Sequence, residues 1–236
     1  MFCYVDEVGM SSIAGPVMTA AVVANERPNI DDIKDSKKLS KKKREKVYNE
    51  LINSVDFSFG FASLDKIKKM NVFWARYDAM KMSVQKLLNR GIQIDKIIVD
   101  GKFVIPDLSI PQEAVIKADD KFWQASAASI LAKVRRDSLM SKLSKLEQYS
   151  YYDWDQNAGY FSPKHQIGII LFGPTSLHRL NFSLLQKSIN LFEKHQEFLD
   201  QGGSSQEFFN SIVDSKKKKQ LSDYIVWENG NFKGWK

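Results

Sequence analysis

Apolar and polar positions are grouped along this chain in a way that predicts strands interleaved with helices. Phe2-Cys3-Tyr4-Val5 opens with a buried-strand pattern that Asp6-Glu7 interrupts before Val8-Gly9. Side chains alternate across a strand, so these two carboxylates cannot share one face of a regular strand. Burying a carboxylate is costly unless a cation or hydrogen-bond donors meet it. The pair is therefore expected where the strand ends, with at least one acid near a metal or a base. A small flexible run from Gly9 to Gly15, closed by Pro16, leads into a second buried strand over Val17 to Val23. The short connection predicts an antiparallel pair.

Further on, Ser40 is placed to cap a helix running from about Lys41 to Ile52, and Phe57 to Ser63 alternates as a third strand. A short helix near Leu64 to Lys69 and a longer one over Val72 to Leu88 follow, with Asn71 as cap and Gly91 as stop. Lys96 to Gly101 reads as a buried strand ending in Asp100-Gly101. An acid in that position is either a plain turn residue or a ligand-holding group beyond a strand's carboxyl end. Ala114 to Lys117 predicts a short strand. Ala118-Asp119-Asp120 then caps a long helix of about Lys121 to Leu146, whose small residues Ala125 to Ser129 suit close packing on a sheet. An aromatic loop spans Tyr149 to Tyr160; Ser162-Pro163 opens another helix, and a last main-body helix covers about Ser183 to Phe198.

The domain reading is a main body over 1–200 and an appendage over 201–236. The appendage begins with the break Gln201-Gly202-Gly203-Ser204-Ser205. It continues through the Lys216–Lys219 run to two aromatic stretches, Asp223 to Trp227 and Phe232 to Trp235, whose intervening Asn229-Gly230 predicts a hairpin turn. The fold class is α/β, a mixed sheet flanked by helices with a helical C-terminal part and a small terminal hairpin.

Composition narrows the chemistry. One cysteine, Cys3, excludes an intramolecular disulfide and a multi-cysteine zinc site. No apolar run approaches the ~18 residues of a membrane span, and no secretory signal opens the chain, so a cytoplasmic monomer with no membrane partner is expected. A net charge of +7 with 12% aromatic residues is compatible with a polyanionic partner. His165, His178 and His195 have no ligand spacing among themselves or with Cys3.

Several segments, in order, resemble the type 2 ribonucleases H (ribonuclease HII). Asp6-Glu7-Val8-Gly9 with Ile13-Ala14-Gly15-Pro16-Val17 resembles the family's first motif, and Asp35-Ser36-Lys37-Lys38-Leu39-Ser40 its second. Asp100-Gly101 looks like the third acidic site. Ile116-Lys117-Ala118-Asp119, continuing through Ala127 to Val134 and Arg136-Asp137, is the longest match. Gly159-Tyr160 and Gly173-Pro174-Thr175 with His178-Arg179 complete a resemblance over about residues 2 to 187.

The resemblance implies an RNase H-like sheet and four carboxylates, Asp6, Glu7, Asp100 and Asp119, holding two divalent ions, Mg²⁺ or Mn²⁺. The match to the family's Ile-Lys-Gly-Asp selects Asp119 over Asp120, which is left as a solvated helix-end charge. The implied reaction is hydrolysis of RNA in RNA–DNA hybrids, and at ribonucleotides embedded in duplex DNA, leaving 3′-hydroxyl and 5′-phosphate ends. Hard divalent ions prefer oxygen ligands, and two of them ~4 Å apart activate a water and stabilise the leaving oxygen. The implied substrate contacts are Gly9, Met10, Ser11, Lys37, Lys38, Tyr160, His178 and Arg179. For the lysines a solvated helix entry stays open, and for His178 and Arg179 a structural role stays open.

One departure stands out. Where the family carries Gly-Arg-Gly, this chain has Gly9-Met10-Ser11. Met10 lacks an arginine's charged contact and Ser11 a glycine's freedom at positive φ, so an altered preference at RNA–DNA junctions is expected. Two other readings compete: a nuclease of the same superfamily acting on DNA, and a non-catalytic hybrid-binding protein. The second would be expected to lose one of the four acids, and all four are present.

Overall fold

A computed structural model describes residues 1–34, 36–213 and 225–235. Asp35 of the second motif, the Lys216–Lys219 run and the start of the predicted hairpin at Asp223 and Tyr224 lie outside the described residues. The chain divides into two compact units, one of residues 1–10 and 16–138, the other of 11–15 and 139–236.

The first unit is built on a five-stranded mixed sheet in the order β3-β2-β1-β4-β5. Its strands are β1 (Phe2–Val8), β2 (Val17–Val23), β3 (Asp56–Ala62), β4 (Lys96–Asp100) and β5 (Gln112–Val115). The β1–β2 and β2–β3 pairs are antiparallel, and β1–β4 and β4–β5 are parallel. The sheet is covered on both faces, which explains why β2 reads as an unbroken apolar run rather than an alternating one. On one face Cys3, Val5, Ile97 and Val99 pack with Tyr77, Met80, Val84 and Leu87 of α2 (Leu64–Asn89). On the other, Ala20 and Val22 pack with Val47 and Leu51 of α1 (Lys41–Leu51) and with Ala127 to Ala132 of α4 (Trp123–Leu143).

Local signals set several boundaries. Ser40 caps α1, its hydroxyl accepting from the Lys43 amide at 3.4 Å. The two helices expected around Asn71 are both present within Leu64–Asn89: Asn71, non-helical at φ 62° and ψ 167°, separates them and caps the second, its side chain accepting from the Phe73 and Trp74 amides at 2.9 and 3.2 Å. Gly60 permits α2 to approach β3 closely, since a Cβ there would lie 1.8 Å from the Ala79 carbonyl oxygen.

Two predicted boundaries are corrected. β5 lies two residues earlier than the apolar run suggested, leaving Ile116 exposed. The single helix expected from Lys121 is two: α3 (Ala118–Lys121), then α4, separated by Phe122 in an extended conformation. Phe122 packs its ring against Tyr4, tilted at 49° with centroids 5.3 Å apart, and the Ser126 hydroxyl donates to the Asp119 carbonyl at 2.6 Å across the break.

The second unit contains α5 (Trp154–Asn157), α6 (Pro163–Phe172), α7 (Ser183–Asp200) and α8 (Ser205–Ile212), with a hairpin of β6 (Ile225–Glu228) and β7 (Asn231–Trp235). The predicted aromatic loop is partly ordered as a 3₁₀ turn over Glu147–Tyr152 followed by α5. Ile13 and Ala14 join a core with Tyr152, Trp154, Ile169 and Leu185. The hairpin's Trp227, Phe232 and Trp235 pack against Ile167, Leu171 and Phe209, so the terminal aromatics complete an apolar cluster within their own unit. Among the described residues, no helix is long and apolar enough to cross a membrane.

Candidate active site

β1 carries its acids further than the sequence pattern implied. The strand continues pairing with β2 through Val8 and Met18, so Asp6 and Glu7 lie inside it, opposite Ala20 and Thr19. On its other side, however, the pairing with β4 stops at Val5 and Val99. The acids thus sit beyond the last β1–β4 pair, and Asp100 ends β4 at the same level. This is the carboxyl end of the parallel strands, where open sheets leave room for ligands.

Alternation then divides the acids. Asp6 lies on the α4 face, where its carboxylate bonds the Ser129 hydroxyl and accepts from the Glu7 amide at 2.7 Å. Ser129 also meets the Ser36 hydroxyl at 2.9 Å, tying the second motif to the same place. Glu7 lies on the α2 face and accepts from Arg76 at 3.2 Å. Asp100 accepts from the Ala118 amide at the start of α3, at 3.1 Å.

The three acids raise one another's cost of ionisation. Burial pushes the Asp6 carboxyl well above its ordinary range, and the charges of Glu7 and Asp100 add to it. Burial also raises Glu7, against the opposing pull of Arg76, and Asp100, against its bond to Ala118 and the nearby charge of Lys37. Like charges gathered in a partly desolvated place store a need for a cation.

Asp119 occupies the first turn of α3, the element whose N-terminus binds Asp100. Lys37 lies in the 3₁₀ turn Ser36–Lys38, within electrostatic range of Asp100 and Asp120. Lys38 bonds Asp120 at 2.6 Å with both partners exposed. Among the described residues, no three His, Cys, Asp or Glu side chains converge on one point suited to a metal ion. The donor set still fits a hard divalent cation: Asp6, Glu7, Asp100 and Asp119 supply oxygen alone, and three of them repel one another in its absence.

The loop after the acids begins at Gly9, with φ 92°, where a Cβ would lie 2.3 Å from Arg136 Nε. Arg136 is fully buried and donates to the Pro16 carbonyl at 2.9 Å, so it holds the base of the loop from below. Met10 is half-buried and Ser11 exposed.

In the second unit Tyr160 is half-buried, and its carbonyl bonds His165 at 2.8 Å. His178 and Arg179 turn inward: His178 meets His165 at 3.1 Å, and Arg179 donates to the Gly15 carbonyl at 3.1 and 2.8 Å. Both are buried, which fits the structural alternative left open for them. Sequence reasoning passed over Arg76, because an isolated arginine on an amphipathic helix gives no local sign that its partner lies 69 residues away.

Comparison with known proteins decides the family. The ribonuclease HII family model matches residues 4–185. The chain belongs to the ribonuclease HII family. It is therefore a hydrolase, an endonuclease of the type 2 ribonuclease H class. The ribonuclease HII of Ehrlichia ruminantium (strain Welgevonden) is 41% identical over 191 residues, covering 80% of this chain and 88% of the relative. The crystal structure of ribonuclease H2 from Pyrococcus horikoshii OT3 superposes with a TM-score of 0.64 at 27% identity, covering 82% of this chain and 99% of that one. Bst-RNase HIII in complex with Mn²⁺ shares the fold at 19% identity, with a TM-score of 0.63 over 82% of this chain and 70% of that one. The RNase H-like mixed sheet expected from the sequence is the observed fold.

Proposed function

We propose that this chain hydrolyses the RNA strand of RNA–DNA hybrids in a divalent-metal-dependent reaction, leaving 3′-hydroxyl and 5′-phosphate ends. The observation that carries the reading is the placement of Asp6, Glu7 and Asp100 at one level, beyond the last β1–β4 pair, each with its carboxyl pushed up by burial. Asp6, Glu7, Asp100 and Asp119 would hold the metal; two Mg²⁺ or Mn²⁺ ions would activate the attacking water and stabilise the leaving 3′-oxygen.

The chain's own residues do the rest. Ser129 and the Glu7 amide fix Asp6, and α3's first amide fixes Asp100, so these acids keep their aim without reorganising. Lys37 adds positive charge beside Asp100 for a backbone phosphate. Backbone groups of Gly9, Met10 and Ser11 reach toward a ribose 2′-hydroxyl, which separates RNA from DNA. Tyr160 offers a ring for stacking. Without an arginine at Met10, cleavage at single embedded ribonucleotides is weaker relative to hybrids.

The test uses three labelled duplexes with Mg²⁺ or Mn²⁺: an RNA–DNA hybrid, a DNA duplex with one ribonucleotide, and plain DNA. Cleavage of the hybrid above the single ribonucleotide, with plain DNA intact, is expected. Cleavage of plain DNA would favour the DNA-nuclease reading, and tight hybrid binding without any cleavage the non-catalytic one.

A further inference from the structure

Arg76 bonds directly to Glu7, an acid of the proposed site. One guanidinium nitrogen donates to Glu7 at 3.2 Å and another to the Tyr77 hydroxyl at 2.7 Å. The guanidinium carbon lies 4.7 Å from the Phe73 ring and 4.5 Å from the Tyr77 ring. Arg76 and Glu7 side chains are only 13% and 15% exposed. Arg76 Nε is buried with no acceptor among the described residues.

An arginine keeps its charge at any working pH, and desolvating one with an unpaired donor is costly. The aromatic faces and the Glu7 carboxylate offset that cost. The arrangement places a permanent positive charge on Glu7, the acid of the β1 pair that faces α2. It also turns Glu7 toward α2, consistent with no three acids converging on a single point.

We propose that Arg76 is the resident counter-ion of Glu7 and sets the divalent-cation requirement of the site, because a metal ion that takes Glu7 must compete with the positive charge already bonded to it. Arg76 acts through Glu7 and is a positioning residue. The inference rests on the metal-dependent reading above.

Thermal unfolding of the full chain, first with chelator and then across a Mn²⁺ titration, tests it without reference to cleavage. Arg76→Gln melts lower than wild type in chelator, because Glu7 loses its partner. Its Mn²⁺ midpoint falls by about tenfold, the scale of removing one unit charge a few ångströms from a divalent ion even in high dielectric. Arg76→Lys, which keeps the charge but loses the planar fork, gives an intermediate midpoint. It serves as the reading variant if Arg76→Gln does not fold. A Mn²⁺ midpoint equal to or above wild type in the folded variant overturns the proposal. A wild-type protein whose melting ignores both Mn²⁺ and Mg²⁺ overturns the metal-dependent reading itself, and this proposal with it.

Discussion

Asp6 and Asp100 stand one residue beyond the last paired residues of two parallel neighbours, Val5 of β1 and Val99 of β4, and face the same side of the sheet. Adjacent parallel strands in register bring equivalent positions side by side, so two acids far apart in sequence meet where pairing stops. Each is held there against its own electrostatics by hydrogen bonds from a helix, Ser129 of α4 for Asp6 and the Ala118 amide of α3 for Asp100. Such an arrangement trades stability for function.

That trade is measurable. A carboxyl whose pKa is raised by folding stabilises the fold below its unfolded value, and this contribution is lost as pH rises through the folded value. Above the unfolded value, and so at neutral pH, the Asp6 carboxyl is therefore a burden on the fold. Asp6→Asn is expected to abolish hybrid cleavage and to raise the melting temperature in chelator, with each kcal/mol gained reading as about 2–4 °C in a chain of this size. A variant that loses activity and also melts lower in chelator would contradict the account.

The neighbouring acids of α3 separate by role. Asp119→Asn is expected to reduce cleavage by at least about a hundredfold, a loss of about 2.7 kcal/mol in transition-state stabilisation. Asp120, paired with Lys38 at the exposed surface, is expected to tolerate Asn with little change in rate or melting. Single-turnover rates on one hybrid decide between them.

At Gly9, alanine would meet both the positive φ and the Arg136 guanidinium. Gly9→Ala is expected to cost about 2 kcal/mol, a melting drop of about 4–8 °C, and to weaken hybrid binding. Denaturant unfolding and a hybrid-binding titration measure the two effects separately.

The altered loop makes a specificity prediction. Met10→Arg with Ser11→Gly is expected to raise cleavage of a one-ribonucleotide duplex relative to a hybrid, since it restores a phosphate-binding fork and backbone freedom. An unchanged ratio of kcat/KM for the two substrates would remove the loop from the account of specificity.

The buried histidines predict a pH dependence of stability. Burial pushes His165 down to about 4 and His178 to about 3, the latter helped by His165. Their bonds suit neutral rings: His165 Nδ1 donates to the Tyr160 carbonyl, leaving Nε2 to accept from Trp154 at 2.9 Å and from His178. The unfolded chain takes up protons below about pH 6.5 and the folded chain only much lower. Stability carried by these groups is thus complete above about 6.5 and falls as pH drops toward 4. His178→Gln is expected to melt lower at pH 7.5 but to lose less on acidification than wild type. The raised carboxyls are common to both proteins and cancel from that difference.

Much of this was written locally. The apolar run of β2, the Ser40 cap, the Asn71 kink and Ser162-Pro163 at the start of α6 each depend on residues within a few positions of one another. The family motifs made the acids visible, although the pattern alone expected Asp6 and Glu7 at the end of the strand. Only the different lengths of the two ladders flanking β1 show why they are accessible inside it. The α3–α4 break was hidden because its cause is Phe122 packing on Tyr4 of β1, a contact far away in sequence. Arg76 was hidden for the same reason.

Metal-dependent hydrolysis at these acids is decided by hybrid cleavage with wild type, Asp6→Asn and Asp100→Asn, in Mg²⁺ and in chelator with the product ends mapped. Cleavage to 3′-hydroxyl and 5′-phosphate ends that requires metal and disappears in both folded variants is the predicted result. Metal-independent cleavage, or full activity in either variant, would contradict it.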